Sequence, residues 1–247
     1  MEAKEDFIIK NKNESLNKIQ TFLEKCINQD NKHKKKANLI SYWLKDYIAY
    51  IEQEETFNPS KLKEYSRGDI IKVNLGFNIG NEEGGLHYCV VLDKKNVKSH
   101  STLTVIPLTS IKSHSKKHYT SVILGNEIAL KVLNKAKKLL LSIDKEKAIS
   151  YQEKVVNYIH TGILEEITKE EEQAAWDLKN KHILIEKIMK EAEQMKVGSI
   201  ALINQITTIS KQRIYNPKKD LDILSGIKLS DEKMKLIDEK IKKLYLN

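Results

Sequence analysis

Apolar positions recur three and four residues apart over the first sixty residues. Leu16, Ile19, Leu23, Cys26 and Ile27 follow Ser15; Leu39, Ile40, Trp43, Leu44, Tyr47, Ile48 and Ile51 follow the basic run Lys32–Lys36. Such spacing marks one face of a helix, and a serine ahead of it is a fit N-cap. Two antiparallel helices are predicted, parted at the lysine run and ending near Asn58-Pro59-Ser60.

The period then drops to two. Ile71, Val73 and Leu75 share one face of DIIKVNL, Asp69 to Leu75. A stretch from Gly76 to Gly85 holds four of the nine glycines. Three further β-rich runs follow, His87–Asp93, Thr102–Thr109 and His118–Leu124, spaced as in a small barrel or sandwich. From Asn126 to Lys196 the helical period returns, with Ile128, Val132 and Ala136 on one stripe and Ala148, Tyr151 and Val155 on another. Thr168 with Glu171 matches a capping box ahead of a long helix. Strand texture resumes at Gly198 and runs to Ile209, and a last helix is predicted from Ser230.

Four short strands alone would leave an open edge, which invites mispairing. Closure by Gly198–Ile209 removes it, so one barrel interrupted by a helical insertion is expected. The fold class expected is α+β. The division expected is a helical extension at 1–65, a β-barrel with a C-terminal helix at 66–125 and 197–247, and a helical insertion at 126–196.

Composition adds a little. The formal net charge is +9, consistent with an acidic polymer as partner and equally with plain lysine-rich composition. Cys26 and Cys89 form no metal pattern; Cys89 sits in an apolar run and reads as a buried thiol, which fits a reducing compartment. No apolar run approaches a membrane span, and Met1–Lys10 has no h-region or cleavage signature, so a cytoplasmic protein is expected. No phosphate-binding loop, Ser-His-Asp order or paired metal ligands are found, and no cofactor is expected.

The β segments resemble a known family. RGDIIKVNLG (Arg67–Gly76), GNEEGGLHYCVVL (Gly80–Leu92), VIPLTS (Val105–Ser110) and SIALINQITTISKQRI (Ser199–Ile214) are similar to PemK/MazF toxins in residue type, order and spacing. The resemblance implies a small SH3-like barrel, usually a homodimer, that cleaves single-stranded RNA without a metal. In that chemistry the ribose 2′-hydroxyl attacks phosphorus, leaving a cyclic phosphate and a free 5′-hydroxyl. It also implies an antitoxin protein as partner.

Carried onto this chain, the family's catalytic threonine falls on Thr109. Its catalytic arginine falls on His87, a departure, and Tyr88 stands where a proline is usual. A free imidazole titrates near neutrality and suits proton transfer from a 2′-hydroxyl or to a leaving 5′-oxygen. A strand histidine satisfied by a carbonyl is the plainer reading. Thr109 could donate to a non-bridging phosphate oxygen, or simply be a β-branched strand residue. Contacts to RNA are expected from Arg67, Gly84, Gly85, Ser110, Lys112, Lys116, Lys117, Lys211 and Arg213, with Glu82, Glu83 and Gln205 in support. Tyr88, Tyr119 and Tyr215 are stacking candidates. The function expected is a metal-independent toxin endoribonuclease. Its rivals are an inactive barrel that binds nucleic acid or protein, and a gyrase poison like the CcdB toxins.

Overall fold

In the computed structural model, residues 2–111, 119–163, 165–195 and 198–246 are described. They form two compact units, one of residues 1–57 with 75–85, the other of 58–74 with 86–247.

The first unit is a helical hairpin with a glycine-rich loop. Helix α1 spans Glu2–Ile27 and α2 spans Asn31–Glu52. Ser15 is therefore inside α1 rather than its cap, since nothing between Glu2 and Ser15 breaks a helix. The lysine run is not the break either. Asp30 caps α2 by accepting His33 N at 3.0 Å, so Lys32–Lys36 forms the opening turns. Lysine is a good helix former, and charge alone does not stop a helix. The loop closes where Leu75 N donates to Gly85 O at 2.7 Å and Gly85 N donates to Gly76 O at 2.6 Å. Gly76 has φ +83°, and a Cβ there would lie 2.7 Å from the Trp43 ring.

The second unit is sheet and helices. Its strands are β1 (Tyr65–Ser66), β2 (Ile70–Asn74), β3 (Leu86–Val91), β4 (Lys95–Asn96), β5 (Thr102–Ser110), β6 (Ser121–Gly125), β7 (Ser199–Leu202), β8 (Thr207–Ser210) and β9 (Ile214–Asn216). Between β6 and β7 come α3 (Glu127–Leu141), α4 (Lys145–Thr161) and α5 (Lys169–Gln194), and α6 (Asp231–Tyr245) closes the chain. β1 pairs with β4 alone; the main sheet runs β6-β7-β5-β3-β2-β9, with β8 also on β5. β5 is long enough to hold β8 along Thr102–Val105 and β7 along Leu108–Ser110. β7 thus enters between β5 and β6, although three helices separate it from β6 in sequence. Helices and antiparallel sheet make the α+β class. Among the described residues the path has two ends, β6 and β9, and no ladder joins them.

β2 and β3 carry buried apolar residues on both faces, β2 at Ile70 and Ile71 and β3 at Cys89 to Val91. Ile70, Val90, Ile106 and Leu108 pack against Ile128 and Val132 of α3, Ile188 of α5, and Met234 and Ile237 of α6. Their alternates, Ile71, Val73, Cys89, Val91 and Val105, are buried on the opposite face. At the start of α5, Thr168 Oγ1 accepts Glu171 N at 3.2 Å while the Glu171 carboxylate accepts Thr168 N at 2.9 Å. Glu171 also takes hydrogen bonds from Ser150 and Lys154 of α4. The Ser150 hydroxyl bond above all, then the Thr168 amide and Lys154, bring its carboxyl down to about 2. The expected cap of the last helix forms as well: Ser230 Oγ accepts Lys233 N at 3.3 Å.

Candidate functional site

Antiparallel pairing gathers three strand ends in one place. Asn74, at the end of β2, faces Leu86, at the start of β3. The β3–β5 ladder ends at Cys89–Pro107; continued in the same register it would set His87 opposite Thr109. Directly opposed residues project on one face, here the face of Val73 and Cys89, away from α5. The ring of His87 confirms the approach, with Nδ1 3.1 Å from Leu108 O. A carbonyl only accepts, so Nδ1 carries a proton. His87 and Thr109 are half-buried, and Ser110 beside them is exposed.

Arg213 reaches the same end. It closes a short 3₁₀ turn, Lys211–Arg213, and its Nε donates to Asn74 O at 2.8 Å. Asn74 directly follows Val73, the cross-strand partner of His87 on β2. A guanidinium is always charged, so this end of the sheet combines a permanent cation, an imidazole ring and a hydroxyl.

Along the pairing row, Thr109 faces Ile200 and Ile200 faces Ile123 of the edge strand β6. A shallow groove beyond it is lined by Ile123 together with Leu236, Glu239, Lys240 and Lys243 of α6. The exposed Tyr119 ring lies 5.3 Å from Lys240 Nζ and 5.5 Å from Lys243 Nζ. The lysines of this shelf were not singled out from the sequence, because an exposed lysine on an amphipathic helix has an ordinary solvation role.

Other expected residues lie elsewhere. Arg67 NH1 donates to Leu92 O at 2.6 Å, and its NH2 pairs with Asp238. Leu92 is five residues along the chain from His87, roughly 17 Å at strand rise, so Arg67 ties α6 to the far end of β3. Lys211 is fully buried, its Nζ donating to Val97 O at 3.1 Å and to Lys98 O at 3.5 Å. Burial lowers its pKa. The expectation that Lys211 faces RNA is therefore corrected: it is an internal cation satisfied by carbonyls.

Gly84 and Gly85 belong to the glycine loop of the hairpin unit. A Cβ at Gly84 would come 2.8 Å from Gly76 O, so that glycine serves the loop's own closure. Glu82 Oε2 accepts Ile79 N at 3.4 Å, and Glu83 O accepts from Asn78 Nδ2 at 2.6 Å, both within the loop. Gln205 is half-buried in the 3₁₀ turn Ile203–Gln205. Lys112, Lys116 and Lys117 lie outside the described residues.

Tyr88 points the other way. Its hydroxyl donates to Glu191 Oε1 of α5 at 2.5 Å, and Glu191 also holds Lys72 Nζ at 2.7 Å. Burial, then the Glu191 bond, pushes the phenol pKa far up, so it stays a donor. The tyrosine that departs from the family pattern is thus an anchor for α5. Among the described residues no group of His, Cys, Asp and Glu is placed to hold a metal, and no helix is long and apolar enough to cross a membrane.

No curated protein matches the chain. A family model does: residues 66–175 match the PemK-like, MazF-like toxin of type II toxin-antitoxin systems. That span includes Arg67, His87 and Thr109 and stops before Lys211 and Arg213. Residues 66–175, which take in the motifs from Arg67 to Ser110, are thus similar to PemK/MazF-type toxins.

Proposed function

We propose that the protein is a toxin endoribonuclease that cuts single-stranded RNA at the strand ends where His87, Thr109 and Arg213 meet. The observation that carries this reading is the His87–Leu108 bond, which brings the residue replacing the family's arginine beside the family's threonine. The scissile phosphate would sit over these strand ends. His87 Nε2 exchanges a proton with the 2′-hydroxyl or the leaving 5′-oxygen, and the Thr109 hydroxyl donates to a non-bridging oxygen. Phosphorus gains the bond to O2′ and loses the bond to O5′. The permanent charge that His87 lacks is supplied by Arg213, held at the same end by Asn74 O. Ser110 and the shelf of Tyr119, Lys240 and Lys243 would carry the flanking nucleotides.

The sheet, with β5 shared between β8 and β7, is read as an SH3-like barrel left open between β6 and β9. Entry of β7 between β5 and β6 favours treating 126–196 as an insertion into a barrel of 66–125 and 197–247, behind an extension at 1–65. An antitoxin, a cytoplasmic setting and a homodimer follow from the family likeness. Histidine in place of arginine also favours one rival, a barrel that binds RNA without cutting it.

The test is incubation of the full-length protein with mixed-sequence RNA in EDTA, followed by end-group analysis. Cyclic-phosphate and 5′-hydroxyl ends support the proposal. Intact RNA that remains bound to the protein favours the rival, and intact RNA without binding defeats both.

A further inference from the structure

Ile9, Leu16, Ile19, Leu23 and Cys26 of α1 follow the spacing seven, three, four, three, and Ala37, Ile40, Leu44, Tyr47 and Ile51 of α2 follow three, four, three, four. A repeat of 3.5 marks a seam that packs against facing helices. The seam is covered only near the hairpin tip, where Cys26 and Ala37 are buried. Further along it lies open: Leu16 is 59% exposed and Tyr47 48%. The exposed apolar side chains of the seam and of the positions flanking it present several hundred Å², on the order of the largest patch of an ordinary monomer. One partner in a stable interface contributes about 800 Å².

Charge tells what would cover it. Residues 1–57 carry ten basic and ten acidic side chains, so the +9 of the chain lies wholly outside them and the hairpin offers RNA no net attraction. The charges are sorted by end. The tip holds Lys25, Lys32, Lys34, Lys35 and Lys36 against Glu24 and Asp30. The open end holds Glu5, Asp6, Glu52, Glu54 and Glu55, with Lys4 as the cation among them. Within one hairpin, like charges therefore meet at both ends. A second hairpin laid in the opposite direction sets each basic tip on an acidic end.

We propose that the hairpin is a self-association surface: α1 and α2 of two copies pack antiparallel about a two-fold axis into a four-helix bundle. The contact is isologous, each tip lying on the partner's open end. The apolar seams supply the core of the bundle, and the sorted charges fix its direction. This holds whether or not the sheet unit cuts RNA.

The test uses the full chain and sedimentation velocity. The wild type is expected to self-associate through the hairpin, beyond any dimer that the sheet unit forms, in a step that salt weakens, because the paired ends are exposed. Leu16→Glu with Tyr47→Glu is expected to halve the mass of the assembly with unchanged helicity, since both side chains already face solvent. In one variant the tip is reversed, Lys34, Lys35 and Lys36→Glu; in another the open end is reversed, Glu52, Glu54 and Glu55→Lys. Each alone is expected to raise the dissociation constant about tenfold or more, about 1.4 kcal/mol. Mixed together, the two variants are expected to pair with each other, because each brings the sign the other's ends require. A monomeric wild type overturns the proposal and leaves the seam to a different protein. A dimer indifferent to Leu16→Glu with Tyr47→Glu, or variants that fail to pair on mixing, also overturns it.

Discussion

Glu191 holds α5 against the back of β2 and β3, and its removal should cost more than an ordinary surface change. Its carboxylate accepts both Lys72 Nζ at 2.7 Å and the Tyr88 hydroxyl at 2.5 Å. The side chains of Lys72 and Glu191 are 12% and 15% exposed, so water replaces little of what is lost. Hydrogen bonds to a charged group contribute about 1.5–3 kcal/mol, and removing one member of a buried pair costs about 3–5 kcal/mol. Gln194 Oε1, 3.5 Å from Lys72 Nζ, offsets a part. Glu191→Ala should then destabilise the sheet unit by about 2–4 kcal/mol. Tyr88→Phe, which spares the Lys72 pair, should cost about 1.5 kcal/mol. Because both changes remove the same hydrogen bond, the double variant should lose less than the two added together. Urea unfolding at neutral pH, followed by circular dichroism, measures all three, and an unchanged slope with denaturant shows that stability alone has moved. A loss below about 0.5 kcal/mol for Glu191→Ala, the scale of a neutral surface change, would refute this account of how α5 is held.

The Glu171 carboxyl is lowered on folding, so its contribution is present above its unfolded value of 4.5 and fades as pH falls towards about 2. Wild type should thus lose stability over that window in acid unfolding, and Glu171→Gln should be weaker at pH 7 but flatter below 4.5. Gly76→Ala forces a Cβ to within 2.7 Å of Trp43 at φ +83°, and should cost about 1–3 kcal/mol in the hairpin unit, seen as earlier loss of Trp43 fluorescence in denaturant. Lys211→Met should reduce stability because the carbonyls of Val97 and Lys98 lose their donor, yet leave the salt dependence of RNA affinity unchanged. Arg213→Ala should make that dependence shallower by about one unit of slope.

Local signals were legible where a motif closes on itself. The capping box of Thr168 and Glu171 and the Ser230 cap need only four consecutive residues, and both form. β2 was legible from its period of two, and β3 and β5 from apolar runs, since burial on both faces leaves few polar positions. Strands of two or three residues, β1, β4 and β9, carry no period to read. Ser15 and Lys32–Lys36 misled because polarity was taken for punctuation, whereas Asp30 alone offered a capping side chain at the true break. Lys211 misled for a non-local reason: its carbonyl partners lie more than a hundred residues earlier. The approach of His87 to Thr109 depends on strand register, and that of Arg213 to Asn74 on a pairing with β9 that no motif announced.

The most direct test of the central claim is the cleavage rate, in EDTA, of one RNA by wild type, His87→Ala and Thr109→Ala. A second substrate carries a single 2′-deoxy nucleotide at the mapped cut. The account predicts cutting by wild type, a fall of about a hundredfold or more in each variant at unchanged stability, and no cut at the deoxy position. Full activity in either variant, or cutting 3′ of the deoxy nucleotide, would contradict it.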